Sequence, residues 1–221
     1  MKTLFIEAES NIKVKISQAL IDKLPKEIAV FTTIQFMPNL PEIVKDIEAT
    51  GRVVKLPSGK HTRYPGQLLG CEFQEYDAQA FLYIGDGKFH PEALMMQNNK
   101  PVFQYNPFNE TLLELDRTEI DKMIKQHKAA IMKFLSADCV GMLISTKPGQ
   151  GFLKQAMEFK EKLKGKKEVS LFICDTIDFT QLDNFPFVQC WVNTACPRIA
   201  LDDKKKFSKP IVNLGDVQGL I

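Results

Sequence analysis

Short apolar runs along this chain alternate with stretches of helical periodicity. Lys2 to Ala8 reads as a buried strand, and Ile12 to Leu24 as an amphipathic helix ended near Pro25. Glu27 to Phe36 predicts a strand running into a polar tip, Pro41 to Ala49 a helix closed by Gly51, and Arg52 to Leu56 a short strand. Ser58 to Gln67 is a loop rich in Gly and Pro. Beyond it come a strand over Gln79 to Ile84, a helix over Pro91 to Gln97 and a strand over Pro101 to Tyr105. Asp116 to Leu135 carries the longest helical pattern, with Ile120, Met123, Ile124, Ala130, Ile131 and Phe134 on one stripe. Cys139 to Ile144 (strand), Phe152 to Leu163 (helix), and Val169 to Cys174, Phe187 to Val192 and Pro210 to Leu214 (strands) complete the series. Strands separated by helices of this length imply parallel βαβ units.

The second half echoes the first. Phe31-Thr32-Thr33 matches Ile144-Ser145-Thr146, the segment from Tyr83 to Leu94 aligns with Trp191 to Asp202, and Lys100-Pro101-Val102 with Lys209-Pro210-Ile211, at offsets of 113, 108 and 109 residues. Three matches in order predict an α/β fold of two tandem Rossmann-like lobes with parallel sheets, related by internal duplication. The expected division is 1–115 and 116–221.

Composition is that of an ordinary globular chain, 44% hydrophobic and 25% charged, and a net charge of +2 implies no general attraction to nucleic acid or membrane. No apolar run approaches the roughly 18 residues that span a bilayer. The amino terminus lacks the basic start, apolar stretch and cleavage site of a signal peptide. A cytoplasmic location is therefore expected, where thiols stay reduced. Five cysteines at irregular spacing do not form a disulfide framework.

In open parallel sheets, ligands bind beyond the carboxyl ends of the strands. The polar segments expected there are Thr32 to Gln35, Gly85-Asp86-Gly87, Lys147 to Gln150 and Asn193 to Cys196; Tyr64 to Cys71 joins them if its loop folds over the same edge. Cys71 follows Gly70 and Cys196 precedes Pro197, so each thiol sits in a loop with a defined backbone; metal or redox chemistry competes there with simple packing. Cys139, Cys174 and Cys190 lie in apolar strands, where core packing is expected. Asp86 and His90 either position a substrate or proton, or are a turn aspartate and a satisfied histidine. Lys147-Pro148-Gly149-Gln150 precedes a helix amino terminus that suits a carboxylate or phosphate, without the pattern of a P-loop. His127, on the long helix, is expected at the surface, and Lys204-Lys205-Lys206 at a solvated helix end.

Four segments together carry a resemblance: YPGQLLGC at Tyr64 to Cys71, YIGDGKFHP at Tyr83 to Pro91, STKPGQ at Ser145 to Gln150 and VNTACPRIALDD at Val192 to Asp203. They resemble, in order, motifs of the diphthamide synthase family, the 2-(3-amino-3-carboxypropyl)histidine synthases. The resemblance implies three related α/β lobes around a [4Fe–4S] cluster, each lobe supplying one cysteine. It implies that S-adenosylmethionine is cleaved to a 3-amino-3-carboxypropyl radical, which attacks a histidine of elongation factor two. Cys71 then matches the middle lobe's ligand and Cys196 the last lobe's. Thr146, Gly149, Gln150, Asp86 and His90 become candidates for holding the cosubstrate, and Arg198 holds either its carboxylate or a structural aspartate such as Asp202, the second being the favoured role. This sequence looks like the second and third lobes only. A third thiolate is therefore expected from a homologous subunit, a separate first-lobe polypeptide or a homodimer, with no membrane and no nucleic acid as direct partner. Competing readings are a non-catalytic or electron-delivering subunit and a metal-free small-molecule binding module.

Overall fold

The computed structural model describes residues 4, 6–71 and 73–221. The chain divides into two compact units, Met1–Asp121 and Lys122–Ile221.

In the first unit, α1 (Gln18–Ile21), β1 (Glu27–Thr32), a 3₁₀ turn (Ile34–Asn39), α2 (Leu40–Glu48), β2 (Val53–Lys55), β3 (Ala80–Ile84), α3 (Phe89–Gln97), β4 (Val102–Asn106) and β5 (Thr111–Glu114) follow in order. The sheet order is β2-β1-β3-β4-β5. The first four strands are parallel, and β5 returns antiparallel on β4, pairing Phe103 with Glu114 and Asn106 with Thr111. A wholly parallel sheet was the expectation, and β5 corrects it. Its signal is local: Asn106 and Asn109 carboxamides accept from Phe108 N and Thr111 N and turn the chain.

The second unit contains β6 (Cys139–Ser145), α5 (Leu153–Leu163), β7 (Glu168–Cys174), α6 (Phe179–Leu182), β8 (Cys190–Asn193), 3₁₀ turns at Pro197–Ala200 and Lys204–Lys206, β9 (Ile211–Asn213) and α7 (Leu214–Val217). The long helix α4 (Thr118–Ser136) begins in the first unit and ends in the second. The second sheet is parallel throughout, in the order β7-β6-β8-β9. Its central strands are covered on both faces, so the period of two sorts their side chains into two cores. Val140, Met142, Ile144, Cys190, Val192 and Val212 join α4 and α5 on one face, while Leu143, Trp191 and Ile211 meet Leu182, Val188 and Ala200 on the other. Among the described residues no helix is long and apolar enough to cross a membrane.

Two further expectations fail for physical reasons. Only Gln18–Ile21 of the expected Ile12 to Leu24 helix is helical. Val14 and Ile16 are buried while Lys13, Lys15 and Ser17 are exposed, the alternation of an extended segment rather than a helix. Tertiary bonds hold it: Tyr105 Oη donates to Lys15 O at 2.8 Å, and Val14 N to Asn39 Oδ1 at 2.9 Å. Of the expected strand from Lys2 to Ala8, Lys2, Thr3 and Phe5 lie outside the described residues. Leu4, Ile6, Glu7 and Ala8 make no ladder, and the apolar pair Leu4 and Ile6 is 83% exposed.

Gly141 shows how tightly the second sheet is packed. A Cβ there would lie 2.3 Å from Cζ3 of Trp191 and 3.1 Å from Cε2 of Phe172. Gly141→Ala is expected to cost about 1–3 kcal/mol, the range for overpacking a filled core. Urea unfolding followed by Trp191 fluorescence measures it.

Candidate functional site at the carboxyl edges of the two sheets

In the first unit, Thr32 ends β1 and gathers two loops. Its N–H donates to Gly66 O and its carbonyl accepts from Leu68 N, both at 2.8 Å, making a parallel bridge to Gln67. Its hydroxyl donates to Ile84 O at 2.7 Å, at the end of β3. The Tyr64 to Cys71 segment therefore does fold over the carboxyl edge. Gly66 is needed in that bridge: its φ is +77°, and a Cβ would lie 2.8 Å from Leu40 Cδ2 and 3.2 Å from Val30 O. Cys71 is exposed just beyond it. The space beside Gly70 is taken by the Phe89 ring, 2.1 Å from where a Cβ would stand.

The loop after β3 carries Asp86, exposed, and His90, half-buried on α3. Gln104 on β4 holds this loop, donating from Nε2 to Gly85 O at 3.0 Å and Gly87 O at 2.9 Å. His90 stacks on Tyr83, with ring centroids 5.8 Å apart and planes 16° apart. Burial, with the negative charge of Asp86 adding, pushes the Tyr83 phenol above its ordinary range, so it stays protonated.

In the second unit, Thr146, Gly149 and Gln150 follow β6. Thr146 N donates to Cys174 O and Gln150 N to Lys147 O, each at 3.0 Å, and Gly149 takes φ +79°. Thr146 and Gly149 are exposed and Gln150 is half-buried. Helix α5 starts three residues on, and its N-cap, Phe152, makes no side-chain capping bond.

Cys196 follows β8 and is half-buried. Thr194 anchors the approach, its N and Oγ1 donating to Leu143 O at 3.0 and 2.9 Å. The exit is a 3₁₀ turn beginning at Pro197, whose fixed φ suits a first position. Arg198 Nε lies 2.7 Å from Asp202 Oδ2, with the Arg198 side chain only 6% exposed, the structural pairing expected for it.

The remaining thiols differ. Cys190 is buried in the core, and desolvation pushes its pKa up to about 12. Core packing is corrected for the other two, which are half-buried at strand ends. Cys139 opens β6 at the opposite edge, beside a cavity of about 370 Å³ lined by Asp138, Gly165, Lys166, Lys167 and Glu168. Desolvation and then the Glu168 carboxylate raise its pKa. Cys174 ends β7 at the carboxyl edge, a position the apolar run concealed, and desolvation followed by Asp175 raises its pKa. His127 is also corrected: its side chain is 16% exposed and Nε2 lies 2.9 Å from Asp216 Oδ2.

Iron–sulfur clusters are held chiefly by cysteine thiolates that the cluster can reach. Cys71 and Cys196 fit that donor chemistry, being solvent-reachable in anchored loops, whereas desolvation disfavours the thiolate at Cys139, Cys174 and Cys190. Among the described residues no three His, Cys, Asp or Glu side chains are grouped to hold a metal ion.

The molecule is thus an α/β protein with parallel sheets and cysteine-bearing loops at their carboxyl edges. Residues 1–220 match the family model of diphthamide synthesis proteins, and the chain belongs to that family. It is 30% identical to the 2-(3-amino-3-carboxypropyl)histidine synthase of Pyrococcus horikoshii, over 99% of this chain and 65% of that protein. It is 30% identical to subunit 1 of the human synthase, over 84% of this chain and 42% of the human one. The crystal structure of Dph2 from Pyrococcus horikoshii with a 4Fe-4S cluster superposes with a TM-score of 0.75 at 30% identity, covering 91% of this chain and 59% of that one. The chain therefore spans between about two fifths and two thirds of the length of these relatives.

Proposed function

We propose that this chain is a component of a diphthamide synthase, transferring a 3-amino-3-carboxypropyl group from S-adenosylmethionine to a histidine of elongation factor two in the cytoplasm. The observation that carries the reading is the placement of Cys71 and Cys196 in anchored loops at carboxyl edges, in a family with a relative crystallised with a 4Fe-4S cluster. Cys71 and Cys196 supply two thiolates to one [4Fe–4S] cluster, and a homologous polypeptide or a second copy supplies a third. When bound and reduced by an external one-electron donor, such a cluster would supply the electron for cleaving the sulfonium carbon–sulfur bond of S-adenosylmethionine. Gln150 and Thr146 would offer side-chain hydrogen bonds to the carboxylate of that cosubstrate, Gly149 would let the turn present its backbone, and Asp86 and His90 would position a substrate or a proton. The two units arose by duplication, which the shared order β2-β1-β3-β4 and β7-β6-β8-β9 supports. Relatives named as subunit 1 support the need for a partner.

Anaerobic reconstitution with iron and sulfide, followed by iron counting and mass measurement with and without a homologous partner, tests the reading. Iron bound weakly by the chain alone and strongly by the assembly is expected. An iron-free chain that the partner leaves unchanged would leave the metal-free binding module. For the cosubstrate, Gln150→Ala is expected to weaken S-adenosylmethionine binding by roughly tenfold, the loss of about one hydrogen bond to a charged group. Unchanged affinity in calorimetric titration removes Gln150 from the site.

A further inference from the structure

The residue carrying the second thiol is held on both sides by two buried carboxamides. Asn193, 1% exposed, uses every polar atom it has. Its Nδ2 donates to Cys196 O at 2.9 Å and to Asn213 Oδ1 at 2.8 Å, and its Oδ1 accepts from Ala195 N at 3.1 Å. Asn213, at the end of β9, donates from Nδ2 to Pro197 O at 3.1 Å. Its Oδ1 also accepts from the backbone of Asp216 in the capping box of α7, and its own N–H donates to Asp216 Oδ2 at 3.0 Å. Asp216 is in turn bonded to His127 of α4. Backbone partners on each side fix which way both amides point.

The first unit uses the same device. Gln104 is the third residue of β4, as Asn213 is the third residue of β9, and it grips the carbonyls of Gly85 and Gly87 in the loop after β3. In the second unit the gripped carbonyls are those of Cys196 itself and the residue after it. The bond to Cys196 O sets the peptide plane that follows Cys196, and the bonds to Ala195 N and Pro197 O hold the peptides one step further out on each side, so the backbone that aims the Cys196 Cα–Cβ bond is braced from both directions.

We propose that Asn193 and Asn213 are positioning residues for the Cys196 thiol, with Asp216 and His127 fixing Asn213. This rests on the reading of Cys196 as a thiolate ligand. Their use of carboxamides is chemically specific: each must donate to a carbonyl and accept from an N–H, which neither a carboxylate nor a hydroxyl does with the same reach.

The test uses the full metal-free chain and the variants Asn213→Asp and Asn193→Ala. Asn213→Asp keeps the acceptor of the capping box, replaces the donor to Pro197 O by a carboxylate oxygen and adds a charge near Asp216; circular dichroism establishes that the variant folds, and Asn193→Ala, which adds no charge, gives the second reading. Hydrogen exchange by mass spectrometry is read at residues 194–199, with 85–88 as internal control. Alkylation by iodoacetamide is followed at Cys196, with Cys71 as control. Both variants are expected to speed exchange at 194–199 by about tenfold, the scale of one net hydrogen bond. Cys196 alkylation should rise with it while 85–88 and Cys71 stay unchanged. Wild-type exchange and alkylation at Cys196 in a folded Asn213→Asp chain would overturn the proposal. Iron uptake by the wild-type chain with its partner is measured separately: its failure would sink the ligand reading and leave the loop measurements intact.

Discussion

Cys71→Ala and Cys196→Ala are each expected to lose roughly tenfold or more of the iron that the wild-type assembly retains after desalting. Alanine offers no donor, and water replaces a thiolate poorly on an iron–sulfur cluster, so one deletion loosens the whole group. Cys174→Ala is the informative control. Cys174 lies at the carboxyl edge of the second sheet, but burial and Asp175 keep its thiol protonated. Its replacement should leave iron content and the visible absorption of the cluster unchanged. Iron lost from Cys174→Ala but kept by Cys71→Ala would show that Cys174, and not Cys71, is a cluster ligand.

Trp191→Ala is expected to cost about 3–5 kcal/mol, the range for removing a large buried aromatic side chain. Trp191 is 1% exposed and meets Phe172 edge-on, with ring centroids 5.0 Å apart, across Gly141. Nothing small nearby can fill the space it leaves, because its neighbours Leu143 and Ile211 are fixed in sheet ladders. Trp191 is the chain's single tryptophan, so wild-type fluorescence follows the second unit and circular dichroism must follow the variant. Because Trp191 sits two residues before the end of β8, lost packing should also raise hydrogen exchange through residues 194–199. A loss below about 1 kcal/mol would mean that the second core collapses around the gap, contrary to the packing described above.

Exposed apolar residues bear on the partner as well. On α5, Leu153 and Met157 are four apart and 46% and 47% exposed; on α4, Met132 and Leu135 are 65% and 42% exposed. Mixing the chain with a homologous subunit should protect such side chains if they form part of the contact, and methionine oxidation at Met132 and Met157 reads this directly.

The sequence by itself determined the elements whose signal is local. The short apolar runs over Gln79 to Ile84 and Cys139 to Ile144, bounded by polar turn residues, read as strands covered on both faces, and the 3.6-residue stripe of Leu153–Leu163 buries Ala156, Phe159 and Leu163 on one side. The loops with Cys71 and Cys196 were legible for a similar reason, since Gly and Pro beside a thiol mark turns whatever surrounds them. Tertiary structure decided what depends on partners distant in the chain. Ile12 to Ile16 supports helix and extended chain alike until Tyr105 and Asn39 bind its backbone. Cys71 reaches the carboxyl edge only because Thr32 pairs with Gln67, a backbone bridge to which side-chain identity contributes little. His127 looks like a surface residue until Asp216, 89 positions on, comes within hydrogen-bond distance. Asn193 and Asn213 read as loop residues because polarity signals exposure, and only the fold gives each buried amide the donors and acceptors that make its burial favourable.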